Sequence, residues 1–246
     1  MSENRPRIAV FRPDDERIDE AVELLEELGA DPVPDPMLAI EPTGATPRSD
    51  GDYAVLTSKT GVELAADADW EPGASELVAI GPSTAGAAEA AGFEVDVVPA
   101  EYTSAGLVAA LEDRVEGKRV EVARSDHGSQ VLLGGLTAAG AYVHETVLYE
   151  LVVPAGAGTS VDLAADGDLD AALFTSSLTV EHFLSVAGDR GLEREVREGL
   201  AEAVVGAIGS PTAETAAAAG LTVDIVPGEA DFGALASAAI EELDRA

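Results

Sequence analysis

Two arginines and four clusters of hydroxyls carry the chemistry that this chain has to offer. Arg12 and Arg124 each close a short apolar run, Arg7-Ile-Ala-Val-Phe-Arg12 and Arg119-Val-Glu-Val-Ala-Arg124, at matching positions 112 apart, in a chain with only 14 basic residues. A guanidinium at the end of a strand presents a planar fork that fits a carboxylate with two bonds. An ordinary surface arginine is the competing reading. Other apolar runs end in Thr57-Ser58, Ser83-Thr84, Thr175-Ser176-Ser177, and Ser210 with Thr212. Such hydroxyls either cap the helices that follow or, with the free N–H groups of the helix start, receive an anion. Lys59 adds a point charge beside Thr57-Ser58, but its counterpart is Ser177, so an asymmetric site is expected.

Missing motifs narrow the chemistry. No GxxxxGK[ST] loop, no GxGxxG turn and no GxSxG elbow is present, which argues against nucleotide cofactors and against a serine hydrolase. With no cysteine, disulfides, thiolate metal sites and a cysteine nucleophile are excluded. His127, His144 and His182 lack metal-ligand spacing and read as surface or packing residues. Neither cofactor nor metal is expected. The pattern points to a cleft lined by hydroxyls, backbone donors and one or two arginines.

The elements that must position these groups are written twice. Tyr53-Ala-Val-Leu-Thr-Ser returns as Ala171-Ala-Leu-Phe-Thr-Ser, 118 positions on. Val78-Ala-Ile-Gly-Pro-Ser-Thr-Ala, leading to Val95-Asp-Val-Val-Pro99, returns 128 positions on as Gly206-Ala-Ile-Gly-Ser-Pro-Thr-Ala with Val223-Asp-Ile-Val-Pro227. A repeat this long signals two similar domains rather than a solenoid unit, and a cleft between domains is a favoured place for a small molecule. Apolar runs at 8–11, 53–56, 77–80, 95–98, 119–123, 142–148, 171–174, 204–208 and 223–226 alternate with helical patterns. That alternation predicts parallel sheets covered by helices. Ile18, Val22, Leu25 and Leu28 predict a helix over about 14–28, closed by Gly29. Two alanine-rich helices, 85–91 and 213–219, each end at a glycine. In such sheets ligands bind beyond the carboxyl ends of the strands, where the hydroxyl clusters lie.

Charge sets the surroundings. Acidic residues number 47 and the formal net charge is −33, yet 46% of positions are hydrophobic, so the chain folds rather than staying disordered. Only Lys59 and Lys118 are lysines. This resembles adaptation to molar salt, where a Debye length of about 3 Å removes most self-repulsion; an acidic low-salt protein is the alternative. Nucleic acid is excluded as an expected partner. The start, Met1-Ser-Glu-Asn-Arg-Pro-Arg, shows neither an export signal nor a membrane span, so a cytoplasmic location is expected.

Taken in order, several stretches resemble the uroporphyrinogen-III synthase family: Val78-Ala-Ile-Gly-Pro-Ser-Thr-Ala, Ala91-Gly-Phe-Glu-Val-Asp-Val-Val-Pro-Ala-Glu-Tyr-Thr-Ser-Ala-Gly-Leu, Arg124-Ser-Asp-His-Gly-Ser, Ala139-Gly-Ala-Tyr-Val-His-Glu-Thr-Val-Leu-Tyr149, Leu173-Phe-Thr-Ser-Ser-Leu-Thr-Val-Glu-His-Phe and Ala207-Ile-Gly-Ser-Pro-Thr-Ala. Phe11-Arg12-Pro13 stands where the family has a Thr-Arg-Pro-like turn, and Gly209-Ser210-Pro211-Thr212 departs from the family's second turn. The resemblance implies two flavodoxin-like domains joined by a two-stranded linker. The first domain is then discontinuous, 1–38 with 156–246; the second is 43–149; the linkers are about 39–42 and 150–155. The repeat alone equally permits two contiguous halves.

The resemblance also implies a reaction. The family converts hydroxymethylbilane, a linear tetrapyrrole with eight carboxylates, into uroporphyrinogen III, with loss of water and inversion of ring D. Unaided, the substrate loses its hydroxyl and closes to isomer I, so the protein's task is to redirect closure by holding the chain folded. One weak acid for the departing hydroxyl would help. Tyr149, at the family's tyrosine position, is the expected acid, with a packing role as the alternative. Arg12, Thr57, Ser58, Lys59, Ser83, Thr84, Tyr102, Thr103, Arg124, Ser125, Thr175, Ser176, Ser177, Ser210 and Thr212 are the expected substrate-binding residues. A monomer is expected, with a transient hand-over from hydroxymethylbilane synthase. The competing function is a non-catalytic module on the same scaffold that binds or senses a tetrapyrrole or another anionic ligand. An exported solute-binding protein is a third reading, and it calls for a signal that is not seen.

Overall fold

The computed structural model describes residues 5–245; Met1–Asn4 and Ala246, at the ends of the expected first domain, lie outside the described residues. The elements run β1 (Arg7–Phe11), α1 (Glu16–Glu27), β2 (Asp31–Pro34), β3 (Ala39–Pro42), β4 (Tyr53–Leu56), α2 (Lys59–Asp67), β5 (Glu76–Ala79), α3 (Pro82–Ala90), α4 (Ser104–Leu111), β6 (Arg119–Ser125), α5 (Gln130–Ala138), β7 (Tyr142–Val152), α6 (Thr159–Asp166), β8 (Ala171–Phe174), α7 (Ser177–Asp189), α8 (Glu193–Leu200), β9 (Val204–Ala207), α9 (Ser210–Ala218) and α10 (Phe232–Leu243). The chain divides into two compact units, Met1–Ala39 with Val152–Ala246, and Ile40–Leu151.

The first unit carries a four-stranded sheet of order β2-β1-β8-β9, with every pairing parallel. Its inner strands are apolar on both faces. In β1, Ala9 and Phe11 enter one core with Phe174 and Phe183, while Ile8 and Val10 enter the other with Leu235 and Ala236. A strand buried on both faces loses the alternation of a half-exposed strand, and helices on each side are what bury it.

The second unit carries a five-stranded sheet of order β3-β7-β6-β4-β5, parallel at β7-β6, β6-β4 and β4-β5. Four of its strands follow the order of the first sheet: β7-β6-β4-β5 corresponds to β2-β1-β8-β9. Residues 39–42 form edge strand β3, tied to β7 where Thr43 N–H donates to Leu148 C=O (3.0 Å) and its hydroxyl to Val147 C=O (2.7 Å). In β6 two charged side chains, Glu121 and Arg124, break the apolar rule. Glu121 in β6 is 2% exposed, with its carboxylate held by the Thr146 hydroxyl (2.5 Å) and by His144 Nδ1 (2.6 Å).

The helix expected over 14–28 is α1, capped by the Asp15 side chain and closed at Gly29, whose φ of +87° suits a residue without a Cβ. Two expected strands are not formed. Residues 95–98 and 223–226 make single bridges, Val97 to Val78 and Ile225 to Gly206. Carboxylates explain this: Asp96 accepts from Leu77 N–H (2.7 Å) and Asp224 from Val205 N–H (2.8 Å), taking donors that a ladder would use. Conversely, β2, with Pro32 and Pro34, lies outside the expected apolar runs, while β3, with Pro42, falls where the resemblance implies a linker strand. Both are sheet edges, where proline's missing N–H costs no ladder bond.

Asp35, beyond β2, holds the first unit's two chain segments together. It is 2% exposed and accepts from Gly158 N–H and Ser160 N–H (2.8 Å each) and from the Ser160 hydroxyl. Gly158, at φ +109°, has no side chain of its own to cap α6, so Asp35 caps it from 123 residues away. Asp35→Ala strands buried donors and is expected to lower stability by about 2–4 kcal/mol, read as a shifted denaturation midpoint in molar KCl. A midpoint equal to wild type would show that the clamp adds nothing.

Candidate active site

Strand ends in the second unit converge on a cavity of about 170 Å³. β4 delivers Thr57 and Ser58, β6 delivers Arg124 and Ser125, and β7 delivers Tyr149; all five line it. A register shift sets the last of these. Arg124 pairs with Val147 but Ser125 pairs with Tyr149, so β7 holds one extra residue there. Bulges of this kind re-aim a side chain. Tyr149, 7% exposed, donates its phenolic O–H to Ser58 Oγ at 3.0 Å. Ser58 is the N-cap of α2, and its oxygen also accepts from Gly61 N–H (2.9 Å). With two bonds accepted, the Ser58 hydroxyl hydrogen is free to turn toward the phenolic oxygen once that oxygen gives up its proton. Ser58 is therefore placed to support a phenolate at the positive end of a helix.

Arg124 is not the exposed grip expected from its spacing. It is 1% exposed; Nε bonds Glu145 (2.6 Å), one terminal nitrogen bonds Ser129 C=O (2.6 Å), and the other, Nη2, is buried without a partner among the described residues. Its bulk dictates a glycine beside it. A Cβ on Gly128 would fall 2.5 Å from Arg124 Cδ. Arg12, in the first unit, is half-buried, with its guanidinium 5.0 Å above the Phe232 ring and Nε unpaired among the described residues. Burial, then repulsion from Arg17, lowers its pKa, opposed by Glu20, Asp15 and Asp231. A guanidinium stays charged through such a shift.

The remaining hydroxyls separate by task. Thr103 caps α4, accepting from Gly106 N–H (3.0 Å), and Ser176 caps α7 in a capping box with Thr179. Thr175 donates to Phe11 C=O (2.5 Å) and Ser177 to Pro211 C=O (3.2 Å), so these two serve internal bonds. Ser83, Thr84, Ser210 and Thr212 are not caps. α3 and α9 begin on Gly81 and Gly209, both near φ −170° and without a side-chain cap bond, and the hydroxyls sit inside the first turn, with Thr84 and Thr212 buried. The amides of those two helix starts are left to outside acceptors. Lys59 is held by Glu63 (3.4 Å), and Tyr102, 61% exposed, lies over Gly81. The expected residues thus fall on both units, with Thr57, Ser58, Arg124, Ser125 and Tyr149 brought together.

Ser104 and Ser129 also line the cavity and were not singled out. For Ser129 the signal was present: a serine one residue ahead of the apolar Val131-Leu-Leu, with Gln130 between, is an N-cap pattern, and it caps α5. Glu145 gave none, because its role depends on pairing across the sheet with β6.

A family model described as uroporphyrinogen-III synthase HemD matches residues 19–237. The chain belongs to the uroporphyrinogen-III synthase family. A protein of Methanothermobacter thermautotrophicus, named as a candidate uroporphyrinogen-III synthase, is 36% identical over 83% of this chain and 86% of its own. The uroporphyrinogen-III synthase of Synechococcus elongatus is 28% identical over 64% of each chain. Among solved structures, a mutant uroporphyrinogen III synthase of Thermus thermophilus is similar in fold, with a TM-score of 0.67 at 19% identity over 98% of this chain and 100% of that one. The uroporphyrinogen-III synthetase of Helicobacter pylori gives 0.59 at 14% identity over 97% and 99%. These neighbours bear out the mixed α/β architecture with parallel sheets.

Loss of water from the substrate is helped by a proton donor to the leaving hydroxyl. If Tyr149 is that donor, Tyr149→Phe is expected to lower kcat by roughly 100-fold with little loss of thermal stability. Ser58→Ala is expected to lower kcat less, since the phenol remains but loses the partner that orients it. Turnover of Tyr149→Phe at the wild-type rate would leave the phenol a packing role only.

Proposed function

We propose that this protein converts hydroxymethylbilane into uroporphyrinogen III, acting as a lyase of tetrapyrrole biosynthesis. The observation that carries the reading is the Tyr149–Ser58 pair in a cavity that also holds the Arg124 guanidinium, in a member of this family. The chemical demand suits such a site. The electron-rich pyrrole expels its hydroxyl, leaving an azafulvene, and a donor such as Tyr149 supplies the proton with which the hydroxyl leaves as water. Attack at the substituted carbon of ring D then gives a spiro intermediate, whose rearrangement inverts that ring. Isomer III rather than isomer I results only if the chain is held folded during closure, which is catalysis by positioning.

Eight carboxylates must be held, and the site residues are donors of the right kind. Arg12, stacked on Phe232, keeps its fork available, and the first turns of α3 and α9 offer amides that no side chain caps. We propose the family's architecture for the chain as well: two flavodoxin-like domains, 1–38 with 156–246 and 43–149, related by the internal repeat and joined through about 39–42 and 150–155. No helix among the described residues is long and apolar enough to cross a membrane. A cytoplasmic monomer that receives its substrate by transient hand-over from hydroxymethylbilane synthase, in molar salt that screens a charge of −33, completes the reading.

With freshly generated hydroxymethylbilane in molar KCl, the protein is expected to yield type III product without added cofactor. Type I alone, as in the reaction without protein, would overturn the assignment. Arg12→Ala removes charge-assisted bonds worth about 1.5–3 kcal/mol, so KM is expected to rise roughly ten- to a hundred-fold while the product stays type III, because such a contact is made in ground and transition states alike. An unchanged KM would return Arg12 to a packing role on Phe232.

A further inference from the structure

The two units differ at one matched place. In the first, Ala9 of β1 pairs with Val33 of β2, and both pack into the core that Val161 and Ala164 of α6 help to close. The repeat offset of 112 (121 − 9) puts Glu121 of β6 where Ala9 stands, and its partner across the ladder is His144 of β7. No helix covers that pair. α6 leads into β8, whereas residues 43–52, which lead into the matching β4, are irregular. A cavity of about 480 Å³ opens over the pair instead, lined by Arg48, Asp50, Arg119, Glu121, Tyr142 and His144. Its volume falls within the roughly 300–1,000 Å³ of small-molecule sites. The cavity lies at the amino ends of β6 and β7, roughly 20 Å along β6 from the cavity that holds Tyr149.

The lining defines the ligand. A carboxylate as deep as that of Glu121 is tolerated only with donors on it, and the Thr146 hydroxyl and His144 Nδ1 supply them. That bond fixes one edge of the imidazole on Glu121 and leaves 41% of the side chain exposed. Arg48, exposed at the rim, makes no ion pair or hydrogen bond among the described residues, so its planar fork is open to a carboxylate. Tyr142, 71% exposed, offers a ring face beside Ala141 and Val143. Charge limits the anionic head. Asp50 holds Arg119 at 2.8 Å and Glu121 holds His144, so Arg48 is the one lining cation without a carboxylate partner, and a dianion would meet two fixed carboxylates. We propose that this cavity binds an aromatic monocarboxylate, with its carboxylate on Arg48 and its ring against Tyr142. The site is separate from the reaction assigned above and does not depend on it.

The test uses the intact protein, sodium benzoate and phenyl phosphate, each titrated in molar KCl. Three histidines give three imidazole NMR signals, and they report place as well as binding. His144 lines this cavity, while His127 lies on the loop after β6 whose Gly128 and Ser129 line the other one. Benzoate is expected to shift the His144 signals saturably and leave those of His127 unmoved. Arg48→Ala and Tyr142→Ser alter exposed side chains, so the fold is kept. Benzoate affinity is expected to fall roughly fivefold in Arg48→Ala, through the lost ion pair, and roughly threefold in Tyr142→Ser, through the lost ring contact. Phenyl phosphate is expected to bind more weakly than benzoate. The proposal is overturned by the absence of saturable His144 shifts, by shifts at His127 in their place, by tighter binding of phenyl phosphate, or by either variant binding benzoate as wild type does. His144 signals that move with protein concentration in the absence of probe would give the face to a second copy of the chain and overturn it equally.

Discussion

Burial of one cation organises the strand-end cavity of the second unit. A guanidinium with almost no exposure must have its charge balanced and its N–H groups accepted, or the fold loses several kcal/mol. Glu145 answers the first need from the neighbouring strand and the Ser129 carbonyl the second. Much follows from those two bonds. The loop 126–129 is drawn back toward the sheet, Gly128 must lack a Cβ to let the guanidinium pass, and Ser129 is left at the position from which it caps α5. The bulge beside Arg124 moves Tyr149 opposite Ser125 and within reach of Ser58.

The same burial matters for a chain so acidic. Salt screens exposed pairs such as Arg194–Glu198, where both side chains are more than 60% exposed, far more than it screens a guanidinium sealed beneath a loop. High ionic strength weakens the long-range repulsion between an anionic substrate and a protein of charge −33. The internal bonds of a buried guanidinium to Glu145 and the Ser129 carbonyl persist in the same conditions.

How far the residues announced this arrangement depended on the range of the interaction. Local signals read well: the periodicity of Ile18, Val22 and Leu25 gives α1, and glycines at 29, 92 and 220 take positive φ just past their helices. Apolar runs gave the inner strands, because burial on both faces leaves little else in the sequence. Edges read poorly, since Pro32 and Pro34 look like loop residues until the strand is known to have only one neighbour. Side chains that substitute for backbone, Asp96, Asp224 and Asp35, were invisible because their partners lie 19 to 125 residues away. Arg124 shows the limit most clearly: its position at a strand end was evident, but its depth depends on Glu145, Ser129 and Gly128 together.

The pairing of β1 with β8 has a consequence during synthesis. Phe11 lies beside Phe174, its partner across the ladder, 163 residues later in the chain. At a translation rate of about 5–20 residues per second, β1 waits roughly ten to thirty seconds before β8 exists. The whole of Ile40–Leu151 is made in that interval as one uninterrupted stretch, with all its own strands to hand. Meanwhile the nascent chain exposes Ile8, Val10 and Phe11 on a strand with one edge unpaired, the kind of surface that chaperones bind and that aggregates when left uncovered. Order of manufacture therefore favours a second unit that matures first and a first unit that closes last, around its own oldest strand.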